Sequence, residues 1–164
     1  MKSWHLAQLN VARSLAPVDS PQLAGFVNNL DRINALADSA VGFVWRLQSD
    51  SGNATDFRPM GDDMLVNMSV WEDLETLHHY VYKTAHVEIM RQRKEWFELM
   101  KEAYMVLWWV EAGTIPEVEE AVRRLELLRE HGPTAEAFTF AHPFPAPGSD
   151  DPLQGSEFPE TCPA

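Results

Sequence analysis

Residues Leu65 to Trp109 limit what this chain can fold into more than any other stretch. They open on an alternating apolar run that ends in Trp71, continue with a helical pattern carrying His78, His79 and His86, and close on a continuous apolar run through Trp108 and Trp109. Alternation at period two marks a half-buried strand, apolar residues three and four apart mark a helix, and a short unbroken apolar run marks a strand buried on both sides. A strand–helix–strand unit needs a sheet with a helix laid across it. The helical pattern breaks near Tyr82-Lys83, and Thr84 offers a second N-cap for a helix expected to reach about Lys101.

The rest of the chain supplies the remaining elements. Trp4 to Val11 alternates, with His5, Ala7, Leu9 and Val11 on one face and Trp4, Leu6, Gln8 and Asn10 on the other. Ser20-Pro21 reads as an N-cap with proline at the first helical position, opening a helix to about Ala37. A short strand follows from Phe43 to Leu47. Residues 49–63 are polar and rich in turn formers, so they read as a long loop, either a binding loop or an extended hairpin. Met64 to Trp71 is a strand with Met64, Val66, Met68 and Val70 on one face and Leu65, Asn67, Ser69 and Trp71 on the other. After the strand Tyr104 to Val110, Thr114 and Glu117 fit a capping box for a last helix, which His131-Gly132-Pro133 stops. Ala137 to His142 reads as a weak edge strand. From Pro143 the chain is rich in proline and acid and reads as a loose tail, so the domain is expected to span 1–142 and the tail 143–164.

The order β-α-β-β-α-β, then one more helix, matches the split β-α-β, ferredoxin-like motif of the α+β class. Its helices are expected on the Leu9, Val66, Met68 and Val70 face. Trp4, Leu6, Leu65 and Trp71 on the opposite face then need cover, since one buried aromatic is worth ~2–3 kcal/mol. The simplest cover is a second copy of the sheet, a two-fold homodimer.

Composition excludes several partners. The net charge of -12 lacks the basic patch that nucleic acid or an anionic membrane requires. One cysteine, Cys162, rules out a disulfide framework and a thiolate metal cluster within the chain. The start MKSWHLAQLN has no signal-peptide core, and no apolar run nears the ~20 residues of a membrane span, so a cytoplasmic protein is expected. His78 and His79 are adjacent on a helix and diverge, and no acidic residue completes a metal motif, so no metal site is expected.

Two sets of motifs resemble known families. Trp71-Glu72-Asp73, Leu77, Tyr82 and His86 resemble the dimeric α+β barrel superfamily, which includes antibiotic-biosynthesis monooxygenases and haem-degrading monooxygenases. Ala7-Gln8-Leu9-Asn10, Gly42-Phe43-Val44-Trp45-Arg46-Leu47, Trp96-Phe97, Leu107-Trp108-Trp109 and Arg129-Glu130-His131-Gly132-Pro133 resemble an uncharacterised bacterial and fungal family, over nearly residues 4 to 147. The closer resemblance implies a fold and no activity. The wider one implies Asn10, Trp71 and His86 as catalytic residues, with His86 as haem ligand in the haem-dependent branch. The interval from Trp71 to His86 is longer here than in that branch, and the break at Lys83-Thr84 changes the geometry.

The cofactor-independent branch implies less machinery. It binds an electron-rich aromatic substrate and stabilises its deprotonated form. A base such as His86 or His79 and donors such as Asn10, Trp71 and Arg46 meet that need. Arg46 holds an oxyanion or carboxylate in this reading, or forms a salt bridge at the sheet edge. Gln8, Asn67, Ser69 and His79 complete the expected substrate site; the same amides can equally satisfy one another across the two central strands. The leading expectation is a cofactor-free enzyme of monooxygenase type acting on an aromatic or polyketide-like small molecule. The alternatives are a non-catalytic ligand-binding or structural homodimer, and a haem-binding oxygenase or dehydratase.

Overall fold

The computed structural model describes residues 3–84 and 86–150, the side chain of His86 apart. The elements run β1 (Trp4–Arg13), α1 (Ala24–Asp38), β2 (Phe43–Arg46), β3 (Met64–Trp71), α2 (Leu74–Lys83), α3 (His86–Arg91), β4 (Met105–Glu111) and α4 (Val118–His131). Each boundary has a local cause. Pro21 opens a turn of 3-10 helix that leads into α1. The Asp73 carboxylate accepts from the Thr76 backbone N–H at 2.8 Å and starts α2. Gly132, at φ 73°, ends α4 with its N–H on the Leu128 carbonyl.

The helical break expected near Lys83 is present, but the helix beyond it stops at Arg91, not Lys101. The reason is Trp96-Phe97. Trp96 is buried, and its ring lies 5.8 Å from Phe26, while Phe97 meets Phe26 edge-on at 5.0 Å. Bringing both rings inward takes residues 96–98 along the end of β1, where Leu15 N–H donates to the Trp96 carbonyl and Glu98 N–H to the Arg13 carbonyl. The capping box is also displaced. Helix α4 begins three residues later than Ile115, which is 59% exposed, and Glu117 occupies the N-cap position without a side-chain cap bond. The last expected strand is reduced to isolated bridges, Leu107 with Phe138 and Thr134 with Ala137.

The sheet has order β2-β3-β1-β4, and every pairing is antiparallel. Leu6 pairs with Trp71, Gln8 with Ser69 and Asn10 with Asn67 on β3, while Gln8 faces Leu107 on β4. The two faces are covered by different layers. Ala7, Leu9, Val11, Val66, Met68, Val70, Val106 and Trp108 pack against Ala121, Leu125 and Leu128 of α4, with Phe57 and Met60 of the 49–63 segment beside them. Leu6, Trp71 and Leu107 pack against Ala37 of α1 and Leu74, Leu77, Tyr80 and Val81 of α2.

This arrangement corrects the expected layering. Alternation states which residues share a face, but not which helices cover that face. Helices α1 to α3 lie on the Gln8, Asn67, Ser69 and Trp71 side, and only α4 takes the Leu9 side. Both faces are therefore covered within one chain, which removes the burial argument for a second copy over a bare sheet.

The packed body runs at least to Phe144, two residues past the expected boundary. The Phe144 carbonyl accepts from Trp109 Nε1 at 2.8 Å, and its ring lies 5.9 Å from Phe138. Cys162 and the remainder of the expected tail beyond 150 lie outside the described residues. Among the described residues no helix is long and apolar enough to cross a membrane.

Candidate functional site

A cavity of about 450 Å3 lies between the sheet and α1 to α3. Its apolar wall includes Phe26, Leu30 and Ile33 of α1 and Leu77 and Val81 of α2. These residues recur three and four apart, so one stripe of each helix faces inward. Gln8, Asn10, Asn67 and Ser69 bring polar atoms from the two central strands to the same space.

The polar floor is a connected unit. Gln8 is 3% exposed, and its Nε2 donates to Asn67 Oδ1 at 2.7 Å and to Ser69 Oγ at 2.8 Å. Trp71 Nε1 also donates to Ser69 Oγ, at 2.8 Å. The antiparallel register makes this possible by setting Gln8 directly opposite Ser69, with Trp71 two residues on and pointing to the same face. The amides thus satisfy one another across the strands, and they also line a cavity. One atom is left over: Gln8 Oε1 has no hydrogen-bond partner among the described residues.

Trp71 is held more tightly than a flexible site residue would be. It is 1% exposed, stacked on Tyr80 at 4.9 Å between ring centroids and touched edge-on by Phe43 at 5.5 Å. Tyr80 lines the same cavity, and its hydroxyl donates to the Ile33 carbonyl at 3.2 Å. Burial, and then the nearby Asp38 carboxylate, push the Tyr80 phenol far above its ordinary pKa, so it stays neutral. Tyr80 was legible only as part of the Leu74, Leu77, Tyr80, Val81 stripe, which reads as core.

Arg46 lines the cavity but is already engaged. Its Nε and Nη2 donate to the two oxygens of Asp38 at 2.7 and 3.3 Å, and its Nη1 donates to the Gly52 carbonyl at 2.7 Å. Asn34 adds a bond to Asn53 Oδ1 at 2.7 Å. The 49–63 loop, which joins the antiparallel pair β2 and β3, therefore does not stand off the body as a solvent-exposed extension. It is strapped to α1 and β2, and Ala54 and Thr55 reach the cavity. Arg46→Ala should free this strap. Hydrogen bonds to a charged group are worth about 1.5–3 kcal/mol, so limited proteolysis within residues 49–57 should quicken about tenfold or more, with Arg46→Lys failing to restore protection because a single ammonium cannot reach both partners. An unchanged cleavage rate would show that Phe57 and Met60, packed on the opposite face, hold the loop instead.

The histidines divide. His79 is exposed on α2 and does not line the cavity. His78 packs against Tyr82 at 4.6 Å and Phe140 at 5.3 Å, and burial, followed by Lys83 and His79, lowers its pKa. His86 opens α3, and the catalytic or haem-ligating role expected of its side chain lies outside what the structure describes. Trp71 has one ring face taken by Tyr80 and its N–H by Ser69. Among the described residues no cluster of His, Cys, Asp and Glu is arranged to hold a metal ion.

The fold is an α+β domain with a four-stranded antiparallel sheet, helices on both faces and a pocket on one of them. The chain belongs to the family described as Domain of unknown function (DUF3291), which matches residues 5–154. A crystal structure of a protein of unknown function from Nitrosomonas europaea is similar over 71% of this chain and 99% of its own length, at 14% identity and a TM-score of 0.44. No curated protein matches the chain.

Proposed function

We propose that this chain binds an aromatic or polyketide-like small molecule in the cavity and oxygenates it without a cofactor, as a cytoplasmic enzyme of monooxygenase type. The observation that carries the reading is the union of an aromatic-walled space of about 450 Å3 with convergent polar groups from Gln8, Asn10, Asn67 and Ser69. A pocket of that size with a few placed polar groups is the usual form of a small-molecule site. The strand order, with β3 inserted between β1 and β2 and β1 between β3 and β4, supports a ferredoxin-like split β-α-β fold and kinship with the dimeric α+β barrel superfamily. The homodimer belongs to the same proposal. It would need a surface other than the Leu9 face, which α4 occupies.

In this reading a proton of the substrate carbon passes to water in the cavity, and the carbanion supplies the electrons that reduce dioxygen. A methylene becomes a carbonyl, one oxygen atom enters the product and the other leaves as water. Asn10 and Ser69 offer donors to charge developing on a substrate oxygen. The test is oxygen uptake with a panel of electron-rich aromatic ketones and hydroquinones. Uptake well above the spontaneous rate, lowered about 10²-fold or more by Asn10→Ala, is the expected result. Aromatic ligands that bind without enzyme-dependent uptake would replace the enzyme with a binding protein. One feature favours that second reading: the floor residues Gln8, Asn10, Asn67 and Ser69 are all uncharged and none can act as a general base.

A further inference from the structure

The Asn67 amide is oriented by its neighbours. Gln8 Nε2 donates to Asn67 Oδ1 at 2.7 Å and to Ser69 Oγ at 2.8 Å. Ser69 Oγ accepts from Trp71 Nε1 as well, and an indole N–H can only donate. The packed Trp71 ring thus sets the direction of this chain of bonds, and Asn67 stands at its end with its oxygen engaged. Its Nδ2 donates to none of the described residues, and Asn67 is an exposed residue that lines the cavity. Gln8 Oε1 is closed off inside the unit and meets no ligand.

Asn10 completes the seat. It stands directly opposite Asn67 in the register and lines the same cavity. Residues so paired hold their Cβ atoms about 4.5–5.5 Å apart. The Asn10 amide has no hydrogen-bond partner among the described residues, and both of its polar atoms keep accessible surface. Two carboxamides at that spacing can meet the two lone pairs of one carbonyl oxygen. The amides of the α1 wall are spent the other way. Asn29 Nδ2 donates to the Gly25 carbonyl and Asn34 Nδ2 to Asn53 Oδ1, both at 2.7 Å, so their unspent ends are oxygens. A ligand carbonyl therefore finds its N–H partners on the strands and not on the helix. Resting on the reading of the cavity as a small-molecule site, we infer that Asn67 determines its specificity: its Nδ2, turned outward by Gln8, holds the carbonyl oxygen of an aromatic carbonyl compound together with the Asn10 amide. Gln8 is the positioning residue of this seat, acting through Asn67. The ring system attached to the carbonyl fills the space walled by Phe26, Leu30, Ile33 and Leu77.

Two probes of one shape test the seat: 2-acetylnaphthalene, and 2-isopropenylnaphthalene, in which a methylene replaces the carbonyl oxygen. Their affinities for the full chain are measured by equilibrium dialysis near neutral pH. Asn67→Asp keeps the size of the side chain and the bond from Gln8, but puts an oxygen where the N–H donor was. It should weaken the ketone about tenfold or more relative to the alkene, the expected effect of a carbonyl left without its hydrogen bond. Gln8→Met frees the Asn67 amide to rotate and should lower the same ratio in part, whereas a merely structural role for Gln8 would weaken both probes alike. On the unaltered chain, the infrared stretch of bound 2-acetylnaphthalene, labelled with carbon-13 at the carbonyl, should lie below its position in cyclohexane. The spectrum needs no variant, so a substitution that fails to fold leaves the test standing. A stretch at the cyclohexane position, or a ratio that Asn67→Asp does not move, would overturn the inference and leave a cavity that reads aromatic shape or holds carbonyls elsewhere on its wall. Binding of neither probe would overturn it together with the small-molecule reading on which it rests.

Discussion

Trp71→Ala is expected to lower unfolding stability by about 3–5 kcal/mol, the range for deleting a large aromatic ring from a core that cannot collapse around the gap. The ring is 1% exposed, stacks on Tyr80 and meets Phe43 edge-on. Domains of this kind are stable by about 5–15 kcal/mol in all, so the variant should melt many degrees lower and unfold at a lower urea midpoint with an unchanged slope. Trp71→Phe provides the contrast. It keeps a ring against Tyr80 but removes the N–H that reaches Ser69, and should lose about 1–2 kcal/mol from the hydrogen bond and the reduced volume together. A loss below about 1 kcal/mol for the alanine variant would mean that the ring is not packed as the structure has it. That result would leave Trp71 open to the catalytic role that the resemblance to the haem-degrading monooxygenases implies. Core burial and ligand contact thus predict opposite orders of effect on stability and binding for the same side chain.

The strands were legible because their signal is local. Met64 to Trp71 alternates cleanly, and the register that sets Gln8 opposite Ser69 leaves each residue on the face that alternation assigned to it. The covering layer was not legible, because the Leu6 and Trp71 side and the Leu9 and Met68 side are both apolar at several positions. Alternation of apolar against polar residues would identify a solvent face; here there is none. The helix end at Arg91 was missed for a related reason. Residues 92–101 keep a helix-compatible composition, and what stops them is the tertiary pull of Trp96 and Phe97 onto Phe26. Of the expected site, Gln8, Asn10, Arg46, Asn67, Ser69 and Trp71 line one cavity, since strand period and register were enough to bring them together. His79 was beyond reach of that logic. Its direction depends on the rotation of α2, which the stripe Leu74, Leu77, Tyr80 and Val81 fixes by pointing inward and leaving His79 outside. The same stripe brings Tyr80, not a histidine, to the cavity.

Gly42→Ala should cost about 2–5 kcal/mol, although it adds a single methyl group beside an exposed valine. Gly42 has φ +80°, a conformation that costs a residue with a side chain about 1–2 kcal/mol. A Cβ there would also lie 2.5 Å from the side chain of Thr76, so overpacking adds about 1–3 kcal/mol. Neither partner can retreat easily. The Gly42 carbonyl accepts from Glu72 N–H at 2.7 Å, and the Thr76 N–H is held by the Asp73 cap at 2.8 Å. The contact therefore ties the turn before β2 to the first turn of α2, the helix that carries Tyr80 and Leu77 to the cavity. A double-mutant cycle with Thr76→Gly separates the two causes. Thr76→Gly alone should cost about 0.3–0.5 kcal/mol in helix propensity, since threonine is itself a poor helix former, but on the Gly42→Ala background removing the overlap should return about 1–3 kcal/mol. Strict additivity would assign the whole effect to the backbone conformation and none to the helix contact. In that case the cavity wall should be unchanged in Gly42→Ala, whereas a displaced α2 would shift Leu77 and Tyr80 at that wall even under conditions where the variant is fully folded.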